Sequence, residues 1–238
     1  MAVPVLETWT ANNTGGLTQT TITLTKPSGV ANGDLLIMMV GNDETNASTD
    51  GWNAVTGWTK EFGFANATGD SSFAIYWREA DGTEGATQDV VNDSNSWESY
   101  GWYLRISGAD TTTPFHQKGT PAAGSSSSHA ISGVTTSIAD CLAFYLLAFD
   151  GGDGAPFSVS GTGWAEVDEE QSGTGGTDAS GCFGTKDQAT AGATGTATVS
   201  CSASDGATFV QFAIAPDAGA GGLAIPVAQY YYRSRRMQ

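Results

Sequence analysis

The chain has 238 residues, enough for one large β domain or two of ordinary size, with 39% hydrophobic and only 14% charged residues. Ten Phe, seven Trp and seven Tyr can furnish a packed core, which excludes wholesale disorder. A net charge of −16 repels phosphate backbones, and no apolar stretch approaches the roughly 20 residues that span a bilayer, so neither nucleic acid nor membrane is an expected partner of the body.

The N-terminal Met-Ala-Val-Pro-Val-Leu-Glu-Thr has no cationic segment followed by an apolar one, and no signal peptide is expected. Residues 20–25 alternate, with Ile22 and Leu24 on one side of a pleat and threonines on the other. Residues 35–40 form a continuous apolar run suited to a central strand buried on both faces. In 72–79, Phe73, Ile75 and Trp77 alternate with smaller or polar residues, and Tyr100, Trp102, Leu104 and Ile106 make a further period-two stripe. Val210, Phe212 and Ile214 repeat that pattern near the other end. No segment sustains a helical apolar period, and Gly or Pro falls about every ten residues, as in a sandwich or jelly roll.

These strands recur. GDLLIMMVGND (33–43) matches ADCLAFYLLAFD (139–150), with Asp34 on Asp140 at an offset of 106. Thr56-Gly57-Trp58 matches Thr162-Gly163-Trp164 at the same offset. Gly85-Ala86-Thr87 matches Gly192-Ala193-Thr194 at 107, and the last strands match at 108. An ordered series of anchors with a slowly drifting offset points to an internal duplication. The expected fold is therefore all-β: two tandem antiparallel β-sandwich repeats, jelly-roll-like, with an extended C-terminal tail. The divisions are 1–108 for the first repeat, 109–127 for a Pro, Gly and Ser linker, 128–216 for the second repeat, and 217–238 for a glycine hinge and tail.

Candidates for chemistry are few. His116 and His129 fall in or beside the expected linker, a poor setting for general acid-base work. Glu169 and Glu170 lie in a turn-rich stretch and read as a solvated face, because a glycosidase pair needs a fixed separation across a cleft. There is no phosphate loop, nucleophile elbow or Cys-x-x-Cys. The chain is accordingly read as no enzyme, with no cofactor. Cys141, Cys182 and Cys201, odd in number and confined to the second half, read as buried reduced thiols. Asp150 and Asp153 in Asp-Gly-Gly-Asp-Gly are the weak candidates for a metal, calcium by the hardness of their oxygens. Trp58 and Trp164 share a repeat position and so a core role, whereas Trp52 and Trp97 are candidate surface aromatics for stacking on a sugar.

The tail differs from the body. Up to Tyr232 six Lys and Arg face all 25 acidic residues, a charge of −19, and three arginines follow within the last six positions. A glycine hinge, an apolar segment centred on Ile225, then Tyr230, Tyr231, Tyr232, Arg233, Arg235 and Arg236 combine reach with residue types that dominate interface hot spots. These are the candidate partner-binding residues.

The order GDLL, Gly-Trp-Thr, YWREADGTEG (76–85) and YLRISGAD (103–110) resembles a domain of virion proteins from tailed bacteriophages, and IPVAQYYYRSRRMQ (225–238) resembles the basic, aromatic ends some of them carry. The resemblance covers the first repeat well and the second loosely. It implies a capsid decoration or cement protein, or a fibre or tail accessory, that meets the major capsid protein or tail components, often as a homo-oligomer. It places the chain on the virion surface after synthesis in the host cytoplasm, and transfers no site residues.

Overall fold

The computed structural model describes residues 2–43, 50–66, 71–93 and 96–219. Nearly every element is a strand, in chain order β1 (Val5–Asn13), β2 (Thr21–Thr25), β3 (Leu35–Asn42), β4 (Thr59–Ala65), β5 (Ser72–Glu79), β6 (Thr87–Val91) and β7 (Ser99–Ser107). There follow β8 (Phe115–Lys118), β9 (Ala122–Ile131), β10 (Thr135–Thr136), β11 (Cys141–Asp150), β12 (Ser158–Ser160), β13 (Ala165–Gln171), β14 (Ala179–Gln188), β15 (Gly192–Ala193) and β16 (Ala197–Ile214). One turn of 3-10 helix, Gly152–Gly154, interrupts them. The all-β sandwich expected from alternating stripes is the fold.

Two large antiparallel sheets share one order. The first runs β1-β7-β3-β5-β4, and the second runs through β16, β11, β14 and β13 with β9 paired to β16 in the place that β1 takes beside β7. Each has a two-stranded companion, β2-β6 for the first and β10-β15 for the second. The central run 35–42 is buried on both faces, as is 141–149, which is what their unbroken apolar sequences require. Leu36, Met38 and Val40 point outward to Ile22, Leu24 and Val90 under the first ribbon. Leu35, Ile37 and Met39 point the other way and meet Leu142, Phe144 and Leu146 of the second sheet in one continuous core. A third core, around Cys141, Tyr145, Leu147 and Phe149, lies on the far side of the second sheet. The two copies thus stand back to back and bury their large sheets against each other.

Pairing fixes the equivalence of the copies to the residue. Leu35 pairs with Glu79 and Ile106, and Leu142 pairs with Asp187 and Ile214, so the central strands correspond at 107 rather than the 106 suggested by Asp34 and Asp140. A strand's side chains alternate faces, so an offset of 106 would have turned every inner residue outward. Asp140 takes a positive φ of 61° at this step.

The segment 109–127, expected as a linker, is a correction: it holds β8 and most of β9, both hydrogen-bonded to β16. A Ser-rich strand with little apolar alternation is legible only through its ladder, and the second sheet begins at Phe115 rather than at 128. His129, also placed beside a linker, is instead buried at 3% exposure against Phe149 and Phe209.

Tyr100 crosses the central core. A Cβ on Gly41 in the first sheet or on Gly181 in the second would collide with its hydroxyl, so both glycines are required for the sheets to close around it. Phe212 stacks on Phe144 at 5.2 Å and touches Phe115 of its own sheet and Phe62 of the other copy. Replacing Phe212 with Ala is expected to cost about 3–5 kcal/mol of stability, and Gly181→Ala to destabilise by overpacking alone. Urea titrations of both variants check this; an unchanged midpoint for Gly181→Ala would contradict the close approach.

Candidate functional site

The edge strand β13 carries an acidic sequence, Glu166-Val167-Asp168-Glu169-Glu170, and its pairing with β14 sorts those acids by face. Asp168 and Glu170 point to the inner side, where they meet β1 and β7 of the other copy. Trp9 and Trp102 donate their indole N–H groups to Asp168 Oδ2 at 2.8 and 3.2 Å, and Asn13 Nδ2 donates to Glu170 Oε1 at 2.7 Å. Glu169 points outward and accepts the Phe157 N–H at 2.7 Å. Glu169 and Glu170 are therefore strand residues on opposite faces, not a turn, and cannot form a catalytic pair.

The same strand position in the first copy holds Phe62 and Phe64. Both strands bulge at the equivalent place, between Lys60 and Phe62 and between Glu166 and Asp168. One rim of the seam is thus closed by aromatic packing of Phe62 on Phe115 and Phe212, and the other by hydrogen bonds to carboxylates. The offset of 106 set by Trp58 and Trp164 maps Phe62 onto Asp168 and Phe64 onto Glu170, so this exchange was readable in the sequence. The partners Trp9 and Asn13 were not, because nothing in β1 names the strand it faces.

A second group of carboxyls crosses the seam beside this one. Glu98, from the first copy, lies beside Asp178 of the second and accepts from Ser172 Oγ at 3.4 Å. Its backbone N–H is held by Asp43 Oδ1 at 3.0 Å. Partial burial first, then Asp178 and Asp43, push the Glu98 carboxyl up to about 7. Glu166 on the outer face is also pushed up to about 7, by burial and by Glu169 and Asp168. Perturbed carboxyls mark catalytic sites in many proteins, yet here each faces a hydrogen-bond partner or another acid within the fold.

The other sequence candidates fall as follows. Trp52 is 3% exposed inside the outer core of the first copy, so its ring presents no face to a sugar, and that reading is corrected. Trp97 is half-buried and bridged to Gln19, with its indole N–H enclosed. Asp150 ends β11 and Asp153 lies in the 3-10 turn; no group of three or more His, Cys, Asp or Glu side chains that could hold a metal occurs among the described residues. Cys141 and Cys182 are buried and Cys201 half-buried, and burial pushes the Cys141 thiol up to about 11 and the Cys201 thiol up to about 12. Thiols so raised stay protonated and are poor nucleophiles. His116 Nε2 accepts the Ser137 N–H at 3.0 Å. Ile225, Tyr230, Tyr231, Tyr232, Arg233, Arg235 and Arg236 lie outside the described residues.

No helix among the described residues is long and apolar enough to cross a membrane. No family model matches the chain, and no curated protein matches it. A solved structure of Red Clover Necrotic Mosaic Virus aligns over 90% of this chain and 98% of its own at 12% identity, with a TM-score of 0.25. Likeness at that level carries no weight for fold or function.

A carboxyl whose folded pKa lies above its unfolded one stabilises the fold fully below the unfolded value and loses that contribution as pH rises through the folded value. For Glu98 the window runs from the ordinary Glu range to about 7. Above it, Glu98 is ionised beside the carboxyls of Asp178 and Asp43, and its contribution is lost. The expected result is that Glu98→Gln melts at a higher temperature than the parent at pH 8, with the advantage shrinking toward pH 4.5. Calorimetry across that range checks the sign.

Proposed function

We propose that this chain is a non-enzymatic structural protein of a bacteriophage virion. In this reading its acidic double-β body faces solvent, and its aromatic, basic tail grips a neighbouring virion protein such as the major capsid protein. One observation carries the reading: the described body commits its chemically capable side chains to its own packing. The inner acids of β13 hold indoles and an amide across the seam, the thiols are raised by burial, and His129 sits between phenyl rings. All six cations among the described residues are also engaged. Lys60, Arg78, Arg105 and Lys118 pair with carboxylates, and Lys26 and Lys186 donate to backbone carbonyls.

Such a body is a stiff, soluble platform. Its excess of acidic residues favours solubility and disfavours self-aggregation at the high local concentration of a particle surface. Recognition then falls to residues 225–238, whose tyrosines and arginines suit a desolvated interface. Decoration or cementing of the capsid, as a homo-oligomer, is the form of this role that the tail composition favours.

A tail or fibre adhesin is the second reading, and one observation favours it. Trp9 is 39% exposed at the seam rim beside Asp168, an indole next to a carboxylate acceptor. Glycan-array binding lost on Trp9→Ala would replace the first reading with this one.

Removing residues 230–238 is expected to leave circular dichroism and melting temperature within about 2 °C of the full chain while abolishing incorporation into particles, because the last residues of most domains contribute little to their stability. Normal incorporation of the shortened chain would refute the tail as the anchor.

A further inference from the structure

Beside the last described residues lies a groove. Phe115, Ile138, Ala139, Ala215, Pro216 and Ala218 line a cavity of about 540 Å³ together with the polar Asp110, Thr113 and His116. Its walls are fixed by the body: Pro216 bridges Ala109, Ala215 N donates to Pro114 O at 2.8 Å, and Asp110 N donates to Ala215 O at 3.0 Å. Ile138 is 38% exposed, one of six large hydrophobic side chains exposed among the described residues. A preformed trough with a mainly apolar lining and a few polar groups calls for a mainly apolar occupant.

The sequence supplies one at the right distance. Ala218 is itself part of the lining, and residues 223–227 read Leu-Ala-Ile-Pro-Val. From Ala218 to Ile225 the chain can reach about 23 Å when extended, ample to double back over the groove. Gly219, Gly221 and Gly222 allow the reversal, and Gly219 already takes a positive φ of 69°. Charge favours the same arrangement. Asp110, Asp140 and Asp217 lie in or next to the lining in sequence, the body's own cations are engaged elsewhere, and the segment continues into Arg233, Arg235 and Arg236. A tether this short holds the segment at an effective concentration on the order of millimolar, so modest apolar contact suffices.

We propose that residues 223–227 dock into this groove of their own chain, with Ile225 against Ile138, so that the tyrosine and arginine tail leaves the body from a fixed point. This concerns the root of the tail and does not depend on the virion reading, which concerns its tip.

The full chain has eight isoleucines, so isoleucine-methyl NMR of the intact protein can resolve each one, with Ile138→Val and Ile225→Val assigning the two that matter. The expected result is a nuclear Overhauser contact between the Ile138 and Ile225 methyls within one molecule, and a shift of the Ile138 methyl when Ile225→Asp is introduced. An Ile225 methyl at its random-coil position, with Ile138 unmoved by Ile225→Asp, would overturn the proposal. So would a contact seen only between differently labelled molecules in a mixed sample, since that would place the segment on a second copy. The particle-incorporation assay on the 230–238 deletion reads the tip separately, so either idea can fail without the other.

Discussion

Everything in this structure depends on the two central strands, β3 and β11, having no polar face. A strand apolar on both sides needs cover from both sides. The ribbon β2-β6 covers one face of the first sheet, and Ile131 of β9, Phe157 and Ala197 and Val199 at the start of β16 cover one face of the second. The other face of each sheet is covered by the other copy. Leu35, Ile37 and Met39 against Leu142, Phe144 and Leu146 therefore form the contact that makes one molecule of two repeats. Each large side chain buried there is worth roughly 1.5–3 kcal/mol, so the docked arrangement is held mainly by apolar burial.

Polar groups at the rims of that contact decide its symmetry. Aromatic rings close one rim around Phe62, and carboxylates close the other around Asp168 and Glu170. A duplicated chain starts with identical rims, and this exchange makes them different, so the copies fit in one orientation only. Glu98 adds a contribution that depends on pH, because burial and the neighbouring Asp178 and Asp43 carboxyls disfavour its ionised form.

Much of this was legible in the residues. Alternation located β2, β5, β7 and the end of β16, and the shared Trp58 and Trp164 position was rightly assigned to packing: Trp164 is buried, and each ring lies 6.0 Å from a cation at the equivalent place, Arg78 and Lys186. An unbroken apolar run told that β3 is covered on both faces but not by what, which is why two separate sandwiches were expected where the copies share a core. The serines of β9 gave no periodic signal because an edge strand is held by its ladder, not by buried side chains. Trp52 reads as exposed for a related reason: it lies in a loop by sequence, and the outer core of the first copy, with Asn92 bridged to it, buries it. Single-sequence periodicity reports what a strand offers to each side, and leaves open which partner accepts it.

The central claim is that the two repeats unfold together because they own one core. Native-state hydrogen exchange on the full chain tests this most directly, by comparing the opening free energies of amides in β3 and β11. The account requires both strands to exchange only through the same global opening, with equal free energies and equal dependence on denaturant. Exchange of one strand at a distinctly lower free energy, while the other stays protected, would show two independently stable repeats and contradict the account.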